Sequence, residues 1–142
     1  MKLRLAMVAA LGTVAPILAY GAQAETLTYS IEMRGADEVP PNDSPGIGHA
    51  DVTFDTASRD LAWRVTYSGV TGPLVGMHFH GSVLPGQNAG ILLPLRGSLE
   101  SPVQGSAVLT EAQAADLLAG KWYLNAHTKQ HPGGELRGQV SR

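Results

Sequence analysis

Apolar and polar residues alternate in several short segments of this chain, and this alternation limits what the chain can fold into. Residues 27–33 (LTYSIEM) place an apolar side chain at every odd position. Successive side chains of a β-strand point to opposite faces, so this pattern predicts a strand with one buried face. Further short strands are predicted over Ala50–Phe54, Leu61–Tyr67, Val75–His80, Ile91–Leu95, Gly105–Leu109, Lys121–His127 and Leu136–Val140.

Turn residues separate these strands, and the longest break is the proline-rich stretch 37–46. About eight short strands divided by such turns predict an antiparallel Greek-key β-sandwich or barrel. One helix is expected, from Glu111 to about Ala119. Thr110 and Gln113 have the spacing of a capping box at its start, and Gly120 ends it.

The first 24 residues have the three parts of a secretory signal peptide. Two basic residues open the chain, an apolar run follows from Leu5 to about Tyr20, and Ala22-Gln23-Ala24 has the small residues of a cleavage site. We expect residues 1–24 to be a signal peptide and residues 25–142 to form one periplasmic or secreted domain. The alternative is an uncleaved membrane anchor, although the apolar run is short for a span.

Composition excludes several classes of function. Without Lys2 and Arg4 the chain has eight basic and twelve acidic residues, which gives no excess of positive charge for binding nucleic acid. It contains no cysteine, so a metal would be held by nitrogen and oxygen ligands, with a methionine sulfur as a further alternative. It also lacks the nucleophile elbow of hydrolases, a phosphate-binding loop and a dinucleotide fingerprint.

Two histidines, His78 and His80, are one residue apart on a predicted strand. They share one face and lie roughly 6 to 7 Å apart along the backbone, close enough for both imidazoles to bind one metal ion. Met77 and Phe79 share the opposite, apolar face, so Met77 is expected in the core. The alternative is that both histidines are only solvated.

A third histidine, His127, also lies opposite an apolar row, so all three histidines are expected on outward faces of the sheet. If the two strands are neighbours, His78, His80 and His127 can surround one ion. Three neutral imidazoles suit copper or zinc, and copper is the first choice for an exported site without thiols.

Other polar residues near these positions are weaker candidates. His131 is a candidate fourth ligand or else a solvated loop residue. His49 shares a face with Asp51 and is expected to contribute little. By alternation, Glu135 and Arg137 are expected on the outward face. Glu135 is a candidate for a hydrogen bond to a metal-ligating residue. Arg137 is a candidate for attracting a small anion. The commoner explanation for this pair is an ion pair or a solvated strand face.

Five segments together resemble the CHRD domain, named for its repeats in chordin. They are Gly35–Pro41, Met77–Gly81, Gly105–Ala107, Lys121–Thr128 and Pro132–Gln139. The resemblance covers nearly all of the chain after residue 24. It implies an all-β domain of exported proteins, and His78, His80 and His127 match its recurring histidines, whereas His49 and His131 do not.

A looser similarity is to copper–zinc superoxide dismutase, which also carries a His-x-His pair on a Greek-key barrel strand. Between His80 and His127 there is no histidine, so a bridging ligand and a zinc subsite are missing. An enzyme of this kind would be a copper-only superoxide dismutase. The sequence thus leaves two functions open: copper handling or copper redox chemistry, and a non-enzymatic extracellular interaction module with an unidentified protein partner.

Overall fold

The computed structural model describes residues 23–142, and these form eight β-strands and one α-helix. The predicted signal peptide lies almost entirely outside the described residues. The strands and the α-helix in chain order are β1 (Thr26–Arg34), β2 (Ile47–Asp55), β3 (Asp60–Ser68), β4 (Leu74–His80), β5 (Ile91–Pro94), β6 (Val103–Val108), α1 (Glu111–Leu118), β7 (Trp122–Thr128) and β8 (Leu136–Val140), with a short 3-10 helix (Gly35–Asp37) after β1. The prediction of an all-β fold with about eight strands and one short helix is confirmed.

All eight strands belong to one antiparallel sheet with the order β5-β4-β7-β8-β1-β2-β3-β6. Four strands separate β4 from β3 in this order, yet the rings of Phe79 on β4 and Trp63 on β3 are 5.8 Å apart between centroids. The sheet must therefore curl until its two ends approach each other. It forms a half-barrel with the core on its inner face, and β5 and β6 are its edges.

Alternation decides which side chains enter this core. In β1 every second residue is buried, in agreement with the sequence pattern, and Met77 and Phe79 of β4 are fully buried. Trp122, Leu124 and Ala126 of β7 also face inward, with none of their surface exposed. The residues between them, including the histidines, necessarily lie on the outer face.

Helix α1 begins with the predicted capping box. Gln113 N–H donates to Thr110 Oγ1 over 3.2 Å, and Thr110 N–H donates to Gln113 Oε1 over 2.9 Å. Ala114 and Leu117 bury the inner face of the helix in the hydrophobic core. No helix within residues 23–142 is long and apolar enough to cross a membrane.

Candidate metal site

Strand pairing brings His127 next to the two histidines of β4. Strands β4 and β7 are antiparallel neighbours, with Gly76 paired to His127 and His78 paired to Asn125. Because Gly76 has no side chain, the space above it is free for the ring of His78. A Cβ atom at Gly76 would lie only 2.9 Å from His78 Cε1. The condition under which the sequence expects the three histidines to meet, that the two strands are neighbours, is therefore fulfilled.

The three imidazoles form a compact cluster. Ring centroids are 4.9 Å apart for His78 and His127, 5.6 Å for His78 and His80, and 6.0 Å for His80 and His127. One nitrogen from each ring lies within 4.8 Å of the other two. Within residues 23–142 this is the only group of three or more histidine and acidic side chains with such spacing.

Backbone carbonyl groups orient two of the rings. His80 Nδ1 lies 3.0 Å from the Ala89 oxygen, and His127 Nδ1 lies 3.0 Å from the Pro132 oxygen. A carbonyl oxygen only accepts hydrogen bonds, so each Nδ1 must carry the proton and each Nε2 must have a free lone pair. Ligand histidines are commonly held in this way, with the second ring nitrogen bonded to a carbonyl.

In each of the three rings, one nitrogen is buried without a partner. His78 Nδ1, His80 Nε2 and His127 Nε2 are buried and form no hydrogen bond in the structure. Leaving a buried polar atom unpaired costs about 1–3 kcal/mol, so three such atoms in one cluster require an explanation. A metal ion bound between them would satisfy all three.

Electrostatics keep these histidines neutral. Burial lowers the pKa of all three imidazoles, and the neighbouring His127 and His80 lower the pKa of His78 further. The hydrogen bonds to the carbonyl groups of Ala89 and Pro132 oppose this effect at His80 and His127. A neutral imidazole is the form that binds a metal, so the cluster is in its binding form near neutral pH.

The histidines are more enclosed than the sequence predicted. Parity correctly assigns them to the outer face, but His80 is only 7% exposed and His127 only 9%. The loop after β4 and the loop between β7 and β8 supply Ala89 and Pro132 and cover this face. Alternation predicts the face of the sheet on which a side chain lies. Whether that face is buried depends on loops, which have no periodic sequence pattern.

Glu135 is not on a solvated face, and it forms no ion pair among the described residues. Its side chain is fully buried and accepts hydrogen bonds from Ser44 Oγ, Thr128 Oγ1, and the backbone N–H and hydroxyl of Thr71, at 2.6 to 2.8 Å. Burial alone would raise the pKa of Glu135, but the hydrogen bonds from Ser44, Thr128 and Thr71 together hold it below its usual value. This carboxylate ties loops to the sheet beside the histidine cluster.

Arg137 is likewise buried, at 3% exposure, and its guanidinium lies 3.6 Å from the centre of the Tyr123 ring. It donates to Asn88 Oδ1 over 2.9 Å and to the Gln87 carbonyl over 2.7 Å. The solvated-face interpretation of the sequence is therefore wrong for both Glu135 and Arg137. Segments distant in the chain enclose both residues: Ser44 and Thr71 contact Glu135, and Gln87 and Asn88 contact Arg137.

The model of the CHRD domain matches residues 29–140. The chain belongs to the CHRD family. No curated protein and no solved structure that was compared matches the chain. The segments that carried the resemblance supply the three clustered histidines, Glu135 and Arg137 of this CHRD domain.

The sequence analysis did not single out Glu38, Asn125 or Tyr123 as site residues. Glu38, only 6% exposed, accepts a hydrogen bond from Asn125, which also donates to the Leu136 carbonyl over 3.0 Å. The pKa of Glu38 is raised to about 7. Burial has the largest effect and Asp37 also raises the pKa, while Asn125 and Arg137 lower it. Tyr123 stacks on His80, with 4.8 Å between ring centroids. Asn125 and Tyr123 share the parity of His127, a signal that could have identified them.

The two other histidines of the CHRD domain lie outside the cluster. His49 is partly exposed on β2 and contacts Glu32 and Asp51 at 3.1 and 3.2 Å. These contacts raise the pKa of His49, Glu32 having the larger effect. His131 is in the loop before β8, where its backbone N–H donates to Thr128 Oγ1 over 3.2 Å. The structure does not bring His131 into the group formed by His78, His80 and His127.

Proposed function

We propose that this CHRD domain is exported and binds one copper ion through His78, His80 and His127. The observation that carries the proposal is the clustering of the three imidazoles, with one nitrogen from each ring within 4.8 Å of the other two. In each ring one nitrogen is also buried without a hydrogen-bond partner. Coordination would replace the missing hydrogen bonds and compensate for burying three polar rings. The hydrogen bonds at His80 Nδ1 and His127 Nδ1 support the same ligand geometry from outside the cluster.

Ligand type favours copper. Calcium and magnesium prefer oxygen ligands, and the cluster offers only neutral nitrogen. Among divalent first-row ions, affinity for nitrogen sites is highest for copper, with zinc the main competitor. The group of three histidines includes no thiolate or carboxylate, and zinc is the alternative metal to be tested alongside copper.

The environment of Arg137 favours copper handling over superoxide dismutation as the use of the site. An arginine that guides an anion to a metal must present its charge to solvent at the metal. Here the guanidinium is buried, stacked on Tyr123 and bonded to Gln87 and Asn88. Its donors hold a loop, so we infer that the domain binds and carries copper.

Copper titration of single-residue variants tests this proposal. His78→Ala, His80→Ala and His127→Ala should each weaken copper binding by at least about tenfold, because two imidazoles form a poorer chelate. His49→Ala and His131→Ala are matched controls that remove a histidine outside the cluster and should bind as wild type. Circular dichroism and zinc titration of the same set report folding and metal preference.

Two results would contradict the proposal. If His78→Ala and His127→Ala bind copper as tightly as wild type, the three histidines are not its ligands. If wild type binds neither copper nor zinc while folded, the interaction-module function takes its place. Recovery of the native protein from the periplasm with bound copper would support the first choice of metal.

A further inference from the structure

Residues 87–89, in the loop between β4 and β5, are held against the outer face of the sheet by two side chains. Arg137 of β8 donates to Gln87 O and Asn88 Oδ1. Tyr123 of β7 bonds to Ala89 through its hydroxyl, which accepts from Ala89 N–H over 3.0 Å and donates to Ala89 O over 3.2 Å. We call residues 87–89 the clasp.

The clasp and Tyr123 both contact the ring of His80. The Ala89 carbonyl oxygen that accepts from the Tyr123 hydroxyl also accepts from His80 Nδ1 over 3.0 Å. The ring of Tyr123 lies parallel to that of His80, with 2° between their planes. Stacking therefore restricts the tilt of the imidazole, and the carbonyl keeps the proton on Nδ1.

In addition to burial, the charge of Arg137 lowers the pKa of His80, and its contacts reach His80 through these groups. Tyr123 belongs to β7, which lies between β4 and β8 in the sheet, so its ring separates Arg137 from His80. The buried guanidinium packs on this ring and donates to the clasp, while Asn88 Nδ2 donates onward to the Val39 carbonyl over 2.7 Å. The guanidinium of Arg137 therefore holds both the ring of Tyr123 and the clasp.

We propose that Arg137 and Tyr123 are positioning residues that hold the clasp so that His80 keeps its proton on Nδ1 and directs Nε2 toward His78 and His127. This inference rests on the proposed function for its consequence, which is tighter copper binding. Its structural content, the tautomer and orientation of His80, belongs to the metal-free protein and can be measured there.

The test is nitrogen NMR of the imidazoles in metal-free protein at about pH 8, where histidine is neutral. Wild type should show His80 as a single Nδ1–H tautomer. Tyr123→Phe keeps the stacked ring but removes the hydroxyl, and Arg137→Lys keeps the charge but loses the two-pronged donation. Both should show a mixture of tautomers at His80 and an unchanged His127, whose partner is Pro132.

Ser44→Ala is the matched control, because it removes a hydrogen bond to Glu135 in the same part of the molecule without touching the clasp. It should lower stability and leave the His80 tautomer unchanged. Copper titration should give a loss of affinity of about 10- to 100-fold for Tyr123→Phe and Arg137→Lys. The electron paramagnetic resonance spectrum of bound Cu²⁺ should change in these variants and not in Ser44→Ala.

The outcomes separate this inference from the proposed function. A wild-type tautomer in folded Tyr123→Phe and Arg137→Lys would overturn the positioning role, even if their stability falls. If Arg137→Lys does not fold, Tyr123→Phe and Asn88→Ala decide the result. If wild-type protein binds no copper, the proposed function fails, while the NMR comparison still shows whether the clasp sets the tautomer of His80.

Discussion

Buried polar residues of the described part of the chain concentrate at one side of the sheet. They lie on β4, β7 and β8 and in the loops before β2 and β8: Glu38, His80, Asn125, His127, Thr128, Glu135 and Arg137. Most are satisfied by hydrogen bonds, as buried polar groups normally are. The histidine nitrogens have no partner, as is also true of Tyr29 Oη, Trp63 Nε1 and Trp122 Nε1, but the histidines belong to one cluster.

The lowered pKa of the three clustered histidines predicts how stability depends on pH. Histidine ordinarily has a pKa of 6.5, and all three values are lower in the folded protein. Below about pH 6.5 the unfolded chain binds protons that the folded imidazoles do not, so these groups contribute less to stability as the pH falls. We expect the metal-free protein to become less stable between about pH 7.5 and about pH 5.5 through these three residues.

Urea unfolding of two proteins isolates this contribution. The second protein carries His78→Gln, His80→Gln and His127→Gln together, and both are studied without metal. Glu38 and His49 have raised pKa values and therefore favour the folded state more as the pH falls, but they are common to both proteins. The difference in pH dependence between the two curves reports the clustered histidines. A triple variant with the same pH dependence as wild type would refute the expectation.

Among the secondary-structure elements, the pair β4 and β7 builds the histidine cluster. The position of the His78 ring in this cluster depends on Gly76, since a Cβ atom there would lie 2.9 Å from His78 Cε1 and 3.2 Å from its Nε2. His78 is half-buried and its ring can rotate, so the clash should displace the imidazole more than the strand.

Gly76→Ala is therefore expected to weaken copper binding by about tenfold or more, with only a small loss of stability. Gly72→Ala is the matched control, because a Cβ atom at Gly72 would meet nothing within 4 Å. Copper titration and thermal unfolding of the two variants decide the matter. Equal copper affinity in Gly76→Ala and Gly72→Ala would show that His78 is not held at the position the structure gives it.

Helix α1 provides an independent test of the fold. Thr110→Ala removes the acceptor for Gln113 N–H and should cost about 1 kcal/mol of unfolding free energy. Copper affinity should stay at the wild-type value, because the helix supplies none of the three histidines. Chemical unfolding and copper titration measure the two quantities, and weaker copper binding in folded Thr110→Ala would mean that the helix influences the site.

At the scale of the whole molecule, the curled sheet separates two kinds of interior. Its inner face holds an apolar core that includes Phe54, Phe79 and Trp122. On the outer face of β4, β7 and β8, loops cover a polar layer that contains the histidines. Substitutions of the histidines should therefore leave the core unchanged, which makes the copper-binding experiments interpretable in folded protein.

Export is a prediction about the whole chain. The basic start, the apolar run and Ala22-Gln23-Ala24 predict cleavage after Ala24, so the mature protein should begin at Glu25. Intact mass and N-terminal sequencing of protein recovered from the periplasm or medium provide the measurement. A product that retains Met1 to Ala24 would contradict the signal-peptide prediction.

The sequence by itself determined the strands, the face of each side chain, the capped helix and the three histidines that come together. These features follow from local rules: alternation sets the face, and the spacing of Thr110 and Gln113 sets the cap. Only the tertiary structure decided that Glu135 and Arg137 are buried and that Glu38, Asn125 and Tyr123 surround the site. It also decided that loops cover the histidines and leave three of their nitrogens without partners. Burial on the outer face depends on contacts between segments distant in the chain, and no local pattern encodes them.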